Sequence, residues 1–512
     1  MAKHATRAAK HFGQSTKAVA KKGGNVAKKA AKPSLRAEGP SVPSIPSLVF
    51  FCYHRNVSAD RIESQSATSD VVCIGAGVAG LAAAREISAR GLSVTVLEAR
   101  DRIGGRILTL RDDNNPVAIE LGAEFVHGRP PETLAIVEAA SLMLCDVPER
   151  HWQARDGLLI RSGEFWSELE EIMEGMRGVT DQDISFEQYL DHNCPNASSE
   201  AKSGAKMFVE GFHAARIDKI SVKSLNQEND AADQIDGDKQ FRILNGYDRV
   251  PDWLRRETAS RGSTLHLKTI VQEVRWQKHQ VEVTAKSEHG IKIYTARRVV
   301  VTLPLGVMQA PMSSPESVRF IPELETKKSA AQALAMGNVI KVVFQFREAF
   351  WEGIELPVRG GRATLCDLGF IHGTSELVPT WWTQLPVRAP ILVGWTGGPA
   401  AEELCRRDES YVIDTALGSL ERVLNVPRKQ IDDLLESAHT HNWNADRFTR
   451  GAYSYVTTGG LDAQVQLARP VDDTLFFAGE ATNTEGHCGT VHGAIASGVR
   501  AAREVVTSIG AG

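Results

Sequence analysis

The chain has 512 residues, 42% hydrophobic and 24% charged, with a formal net charge of −4 at pH 7. That length accommodates two or three domains with substantial cores, and no apolar run approaches the roughly 18 residues that a membrane-spanning helix requires. The seven cysteines are scattered, with no Cys-x-x-Cys pair and no Cys/His cluster at zinc spacing, so they read as reduced thiols and metal catalysis finds no support.

The charge is unevenly placed. Residues 1–40 hold ten Lys or Arg against one acid, Glu38, which leaves the remainder of the chain at −13. An acidic body attracts cationic substrates at long range. Residues 1–68 are rich in Ala, Lys, Ser and Pro and have little apolar periodicity, so disorder is the expectation. Three roles compete with a plain tail: a transit peptide, a basic arm for nucleic acid, and a poor secretion signal in the apolar stretch 47–53. The protein is accordingly expected in the cytoplasm, or in an organelle if residues 1–68 act as a transit peptide.

Order is expected from Asp70. Val71-Val72-Cys73-Ile74 predicts a buried parallel strand, 81–90 a helix stopped by Gly91, and 93–97 a second strand ending on Glu98. Residues 129–237 read mainly as helices and polar loops. Strands follow at 265–267, 271–276, 281–284 and 298–301, then at 337–346 and 391–395, with a helix over 411–424. The last strand is 475–478, and a helix from about Val491 to Val506 closes the chain. This order predicts an α/β protein: a Rossmann-like dinucleotide domain (69–128, 238–305 and 436–506) interleaved with an α+β substrate domain (129–237 and 306–435).

Strand, glycine-rich turn, helix, strand and acid within about thirty residues form a βαβ unit. In Gly75-Ala76-Gly77-Val78-Ala79-Gly80, the first glycine permits the tight turn, the second a close backbone approach to a pyrophosphate, and the third close helix–strand packing. The helix that follows offers free N–H groups and a positive dipole end. Glu98 is placed to accept from ribose hydroxyls. The run from Glu98, Ala99 and Arg100 to Gly104-Gly105-Arg106 narrows the dinucleotide to FAD, because the glycine pair permits a second close approach and Arg106 can meet a phosphate or the flavin edge.

Here the chain resembles the flavin-containing amine oxidase superfamily, which includes monoamine oxidases, polyamine oxidases and histone lysine demethylases. The likeness continues through residues 120–128, through 302–307, and through the C-terminal blocks Phe477-Ala478-Gly479-Glu480-Ala481-Thr482 and Gly489-Thr490-Val491-His492-Gly493-Ala494. It implies that Val271 clamps the adenine, that Glu480 bonds the ribityl or pyrophosphate region, and that the helix starting near Val491 faces the flavin. It implies further that Lys341, in an apolar strand, holds a water at the flavin and assists proton and oxygen chemistry. Pattern alone allows Lys341 to be a snorkelling or edge residue. Trp443 belongs to another diagnostic stretch of the superfamily. Ala452 stands where monoamine oxidases carry the cysteine that bonds the flavin, which implies non-covalent FAD. Tyr453 matches one wall of the family's aromatic cage and Thr490 the other. His127 matches a substrate-facing histidine but reads equally as structural. Trp381, Trp382 and Trp395 read as core packing or as pocket lining.

The implied reaction is oxidation of a primary amine or polyamine to an imine, with O2 reduced to H2O2 and no metal. Three alternatives share parts of the pattern. An L-amino-acid oxidase needs an arginine to clamp a carboxylate. A carotenoid desaturase or protoporphyrinogen oxidase shares the N-terminal fingerprint. A chromatin-associated, demethylase-like flavoprotein would use the basic arm as a tether.

Overall fold

A run of apolar residues such as 71–74 can bury both faces only inside a sheet covered on both sides. The structure, a computed structural model, places it there. It describes residues 67–510 except 113–114, 156–157, 162–163, 180–181, 359–360 and 374–375. Residues 1–66, and with them nearly all of the basic segment, lie outside the described residues.

Strand Ala67–Ile74 is central to an eight-stranded sheet. One neighbour is Val94–Leu97, itself paired with Thr264–His266, and all three run parallel. The other neighbour is the long strand Gly290–Val301. The far edge of that strand is shared. Its first half pairs with the antiparallel strand Gln280–Ser287, which in turn pairs with Ile270–Gln277, and its last three residues pair with Leu475–Phe477. The final strand of the chain is thus inserted beside strands laid down far earlier.

Helices Val78–Ser88 and Val491–Gly510 pack together on one face of this sheet. Gly498 permits the approach: a Cβ there would stand 2.2 Å from the carbonyl oxygen of Ala79.

A second, seven-stranded sheet runs in the order 435–440, 339–346, 391–397, 380–383, 370–373, 151–155, 158–161. Strand Val339–Phe346 shows the period-2 logic of a sheet covered on both sides. Ile340, Val342, Phe344 and Phe346 pack in one core with the helix Glu409–Leu424. Val343 packs in another, with Ile119 and Leu121, on the face that Lys341 shares. A third layer is helical: Glu164–Gly175, Phe186–His192, Ser199–Phe212 and Val222–Gln234 meet around Leu169, Phe186, Val209 and Leu225.

The mixed α/β fold agrees with the sequence, and several elements differ from it. The first helix begins at Val78 rather than residue 81, because Gly77 already serves as its N-cap. Residues 144–146, 151–155 and 158–161 are strands inside a segment expected to be helix and loop. Trp152 and Ala154 alternate with polar residues, and the strand they form has two partners, Leu158–Arg161 nearby and Phe370–Gly373 some two hundred residues away. The run 337–346 is two strands: Leu334–Gly337 pairs with Tyr453–Val456, and Val339–Phe346 with the second sheet.

The Gly498 contact gives a direct test. Gly498→Val forces a side chain into the Ala79 carbonyl, so it should lower stability by about 3 kcal/mol, the upper end of overpacking effects. Thermal unfolding of the purified variant should show the loss as a lower Tm.

Candidate active site

One cavity of about 560 Å3 is lined by the glycine-rich turn, by Glu98, Arg100 and Val271, and also by Lys341, His127, Tyr453 and Thr490. Of the residues expected at the site, Gly80 alone stays off the lining. A Cβ on Gly80 would sit 2.0 Å from the Gly75 oxygen, so its missing side chain serves the turn's packing.

The dinucleotide end is built from backbone. Gly75 holds φ +107°, a conformation that excludes most side chains. At Gly77 no heavy atom lies within 4 Å of where a Cβ would project, which is the open room a pyrophosphate needs. The helix behind it has no acid in its first turn and no side-chain cap, so its leading amides face the cavity unclaimed. Glu98 is buried at the strand end, where its Oε2 accepts from Ala76 N (2.7 Å) and its Oε1 from Arg100 N (2.9 Å). A carboxylate has about four acceptor positions, so lone pairs remain for hydroxyls. These features fit FAD: Glu98 would hold its ribose, and the amides after Gly77 its phosphates.

Two residues expected at the cofactor also make ion pairs within the protein. Arg100 makes a two-pronged pair with Asp446, at 2.8 Å on each prong, and His441 Nε2 stands 3.0 Å from the same carboxylate. Arg106 donates to Ala452 O (2.9 Å) and to Glu480 Oε1 (2.8 Å). Glu480 Oε2 in turn accepts from Ser454 Oγ (2.6 Å) and from Gly489 N (3.0 Å). Burial alone would raise the Glu480 carboxyl, but Arg106 and these donors hold it below its usual range. Glu480 and Arg106 therefore fasten the segments around the cavity to one another while both also line it.

At the opposite wall, Lys341 is almost wholly buried, with Nζ 2.5 Å from Glu124 Oε2 and 3.2 Å from Gly122 O. Glu124 Oε1 accepts from Arg242 (2.9 and 3.2 Å) and from Trp382 Nε1 (2.9 Å). Burial would raise Glu124, yet Lys341 and Arg242 keep its carboxyl below the ordinary value. Trp443 Nε1 donates to Leu121 O (3.1 Å) and so holds the loop that carries Glu124. Sequence reading missed Glu124, Arg242 and Trp382 as one unit. The signal was available: a lysine in a strand buried on both faces needs an anion, and Glu124 stands in a segment already singled out.

The remaining expected residues are placed as follows. Tyr453 OH donates to Phe212 O (2.7 Å), which fixes the ring. Thr490 Oγ1 donates to His487 O (2.7 Å) and accepts from Gly493 N (2.9 Å), so its hydroxyl closes the start of the last helix while the residue lines the cavity. His127 packs against Phe212, with ring centroids 5.7 Å apart, and burial pushes it down to about 4. The tryptophans divide: Trp382 and Trp395 line the cavity, while Trp381 faces the other core and donates to Val378 O. Among the described residues no cluster of three or more His, Cys, Asp or Glu is arranged to hold a metal ion, and no helix is long and apolar enough to cross a membrane.

Acid tests the Arg100–Asp446 pair. Burial would raise the Asp446 carboxyl, but His441 and Arg100 hold it well below its ordinary value of 3.8. A depressed carboxyl contributes stability in full above the unfolded value and loses it as pH falls through the folded one. Asp446→Asn should therefore cost about 2 kcal/mol at pH 7. The gap to wild type should narrow as pH drops below 3.8, as followed by urea unfolding.

Comparison with known proteins agrees with this geometry. Residues 78–506 match the family described as flavin containing amine oxidoreductase. The chain is 28% identical to polyamine oxidase 4 of Oryza sativa subsp. japonica, across 86% of this chain and 90% of that one. It is also 28% identical to lysine-specific histone demethylase 1 homolog 3 of Arabidopsis thaliana, across 86% of this chain but only 30% of the relative. A solved structure of putrescine oxidase bound to putrescine superposes with a TM-score of 0.71 at 21% identity, covering 86% of this chain and all of that one, a likeness of fold. The match spans most of the chain and both walls of the cavity, and the chain belongs to the flavin containing amine oxidoreductase family.

Proposed function

We propose that the protein is an FAD-dependent oxidase of primary amines or polyamines that holds its flavin without a covalent bond. The observation that carries this reading is the buried Lys341–Glu124 pair, set in the wall of the cavity that the dinucleotide turn also lines. FAD, when bound, supplies the two-electron acceptor that is returned to its oxidised form by O2. The overall change is RCH2NH2 + O2 + H2O giving RCHO, NH3 and H2O2. Lys341 presents a fixed ammonium, with which it orders a water and steadies charge that develops beside it. Tyr453 and Trp395 supply aromatic walls for an alkylamine.

The charges on the lining favour a cationic substrate. Glu149 and Asp238 both face the cavity, and burial, reinforced by the Asp238 charge, raises Glu149 to about 7. A bound ammonium relieves that repulsion. An amino-acid oxidase needs a free arginine for a carboxylate. Arg100 and Arg106, the arginines that line the cavity among the described residues, are both already paired with carboxylates. Ala452 lines the cavity next to Tyr453 and has no nucleophile to attach a flavin. The polyamine oxidase and putrescine oxidase likenesses support a small amine, and the demethylase likeness makes a methylated lysine peptide the second substrate to try.

Two measurements test this. Acid precipitation of the purified protein should leave the flavin in the supernatant. Lys341→Met should slow flavin reduction by anaerobic amine, or reoxidation by O2, by about a hundredfold. Unchanged rates in both half-reactions would remove Lys341 from the chemistry.

A further inference from the structure

Amine oxidation needs a neutral nitrogen, and an alkylammonium with a pKa near that of lysine, about 10.4, is almost wholly protonated at pH 7. A proton acceptor at the cavity lets the predominant, protonated form of the substrate react. Lys341 is unsuited, since its Nζ is already engaged by Glu124 Oε2 and Gly122 O. Of the imidazoles on the lining, His127, His151, His372 and His492 are each driven down by burial to between about 3 and about 4, and burial lowers His487 as well.

His213 differs. It caps the C-terminal end of helix Ser199–Phe212, is buried, and lines the cavity. Its Nδ1 stands 3.0 Å from Oε2 of Glu228, which helix Val222–Gln234 presents to the same cavity. Two lone pairs facing at that separation would repel, so Nδ1 carries the proton and Nε2 is left as the acceptor. The carboxylate is itself fixed: Oε1 accepts from Ser224 Oγ (3.0 Å) on its own helix and from Cys488 Sγ (3.4 Å) on the C-terminal segment. The other titratable groups that feel Glu228 are Tyr453 and His487. Burial, reinforced by the Glu228 charge, holds the Tyr453 phenol above its ordinary range. The Tyr453 hydroxyl donates to the carbonyl of Phe212, the residue before His213. The pair therefore stands beside the aromatic wall where an amine would lie.

We propose that His213, positioned by Glu228, takes the proton from the substrate ammonium inside the cavity. The N–H bond of R–NH3+ breaks and an Nε2–H bond forms. The electron pair stays on the amine nitrogen, and the positive charge passes to an imidazolium held against Glu228. The proton leaves with the product ammonia as ammonium. This rests on the amine-oxidase reading and adds to it the group that makes the amine reactive. His213 is the catalytic residue and Glu228 a positioning residue.

The test uses the FAD-bound full chain and two variants, His213→Gln and the near-isosteric Glu228→Gln, which carries the test should the first fail to fold. Anaerobic flavin reduction is followed by stopped flow across pH 6.5–10 with a saturating diamine. At pH 7, His213→Gln should reduce about a hundredfold more slowly and Glu228→Gln about tenfold, with both deficits closing toward pH 10, where the amine arrives neutral. A second readout needs no turnover. In buffers of different ionisation heat, calorimetric binding of tert-butylamine, which has no α-hydrogen to lose, should release no net proton from wild type and about one from His213→Gln. Coincident pH profiles, a deficit that does not close with pH, or equal proton counts would overturn the proposal. If no amine reduces the wild-type flavin, the amine-oxidase reading falls and this inference with it; if wild type is reduced and the profiles coincide, only this inference falls.

Discussion

The site depends on one buried ion pair. Removing an ammonium and a carboxylate from water costs several kcal/mol for each ion after relaxation, and attraction offsets this only if the remaining polar atoms are also satisfied. Lys341 and Glu124 meet much of that condition through groups from elsewhere in the fold. Arg242 and Trp382 bond the second carboxylate oxygen, Gly122 supplies an acceptor for the ammonium, and Trp443 holds the loop that carries both Gly122 and Glu124. Strand 339–346, the loop 121–124 and the small strands around Arg242 are thereby held at one spacing. Replacing either ion by a neutral residue leaves the other charged and buried, so the pair is best seen as one object with three direct partners, Arg242, Trp382 and Gly122.

Much of this architecture was legible in the chain. The βαβ unit announced itself because each of its features is local: an apolar run, glycines at fixed spacing, and an acid at a strand end. The C-terminal blocks were legible for a different reason, since they resemble a known superfamily over several motifs in order. The strand at 151–155 was only partly legible: its alternation and its local partner 158–161 are sequence signals that were missed, whereas its pairing with 370–373 is a tertiary fact. The partners of Arg100 and Arg106 were hidden in the same way. A basic residue beside a phosphate-binding turn reads as a phosphate ligand, and only the fold shows that Asp446 and Glu480 already hold them. His213 and Glu228 sit in a stretch with no motif at all, and they became visible only once two helices placed them 3.0 Å apart.

The polar chemistry of the cavity follows a division of labour set by burial. Acids that meet a cation, Glu124 and Glu480, are held below their usual range, whereas Glu149, exposed to a like charge and to desolvation, is lifted to about 7. Most of the imidazoles are kept neutral. The walls are consequently rigid where charge is balanced and responsive where it is not, and the responsive part is the one that faces an incoming cation.

Glu480 touches Arg106 across 374 positions of sequence and Ser454 across 26, and its own strand, Leu475–Phe477, slots beside Gly290–Val301. Closing such distant contacts carries an entropy that local structure cannot offset in advance. During synthesis, the flavin cavity therefore lacks part of its wall until residues 475–494 have emerged. Until then, the sheet offers an open edge at Val299–Val301 and an uncovered helix at Ala79. A chain lacking residues 475–494 would be an unfinished fold rather than a weakened enzyme, and cofactor capture would report that this segment has docked.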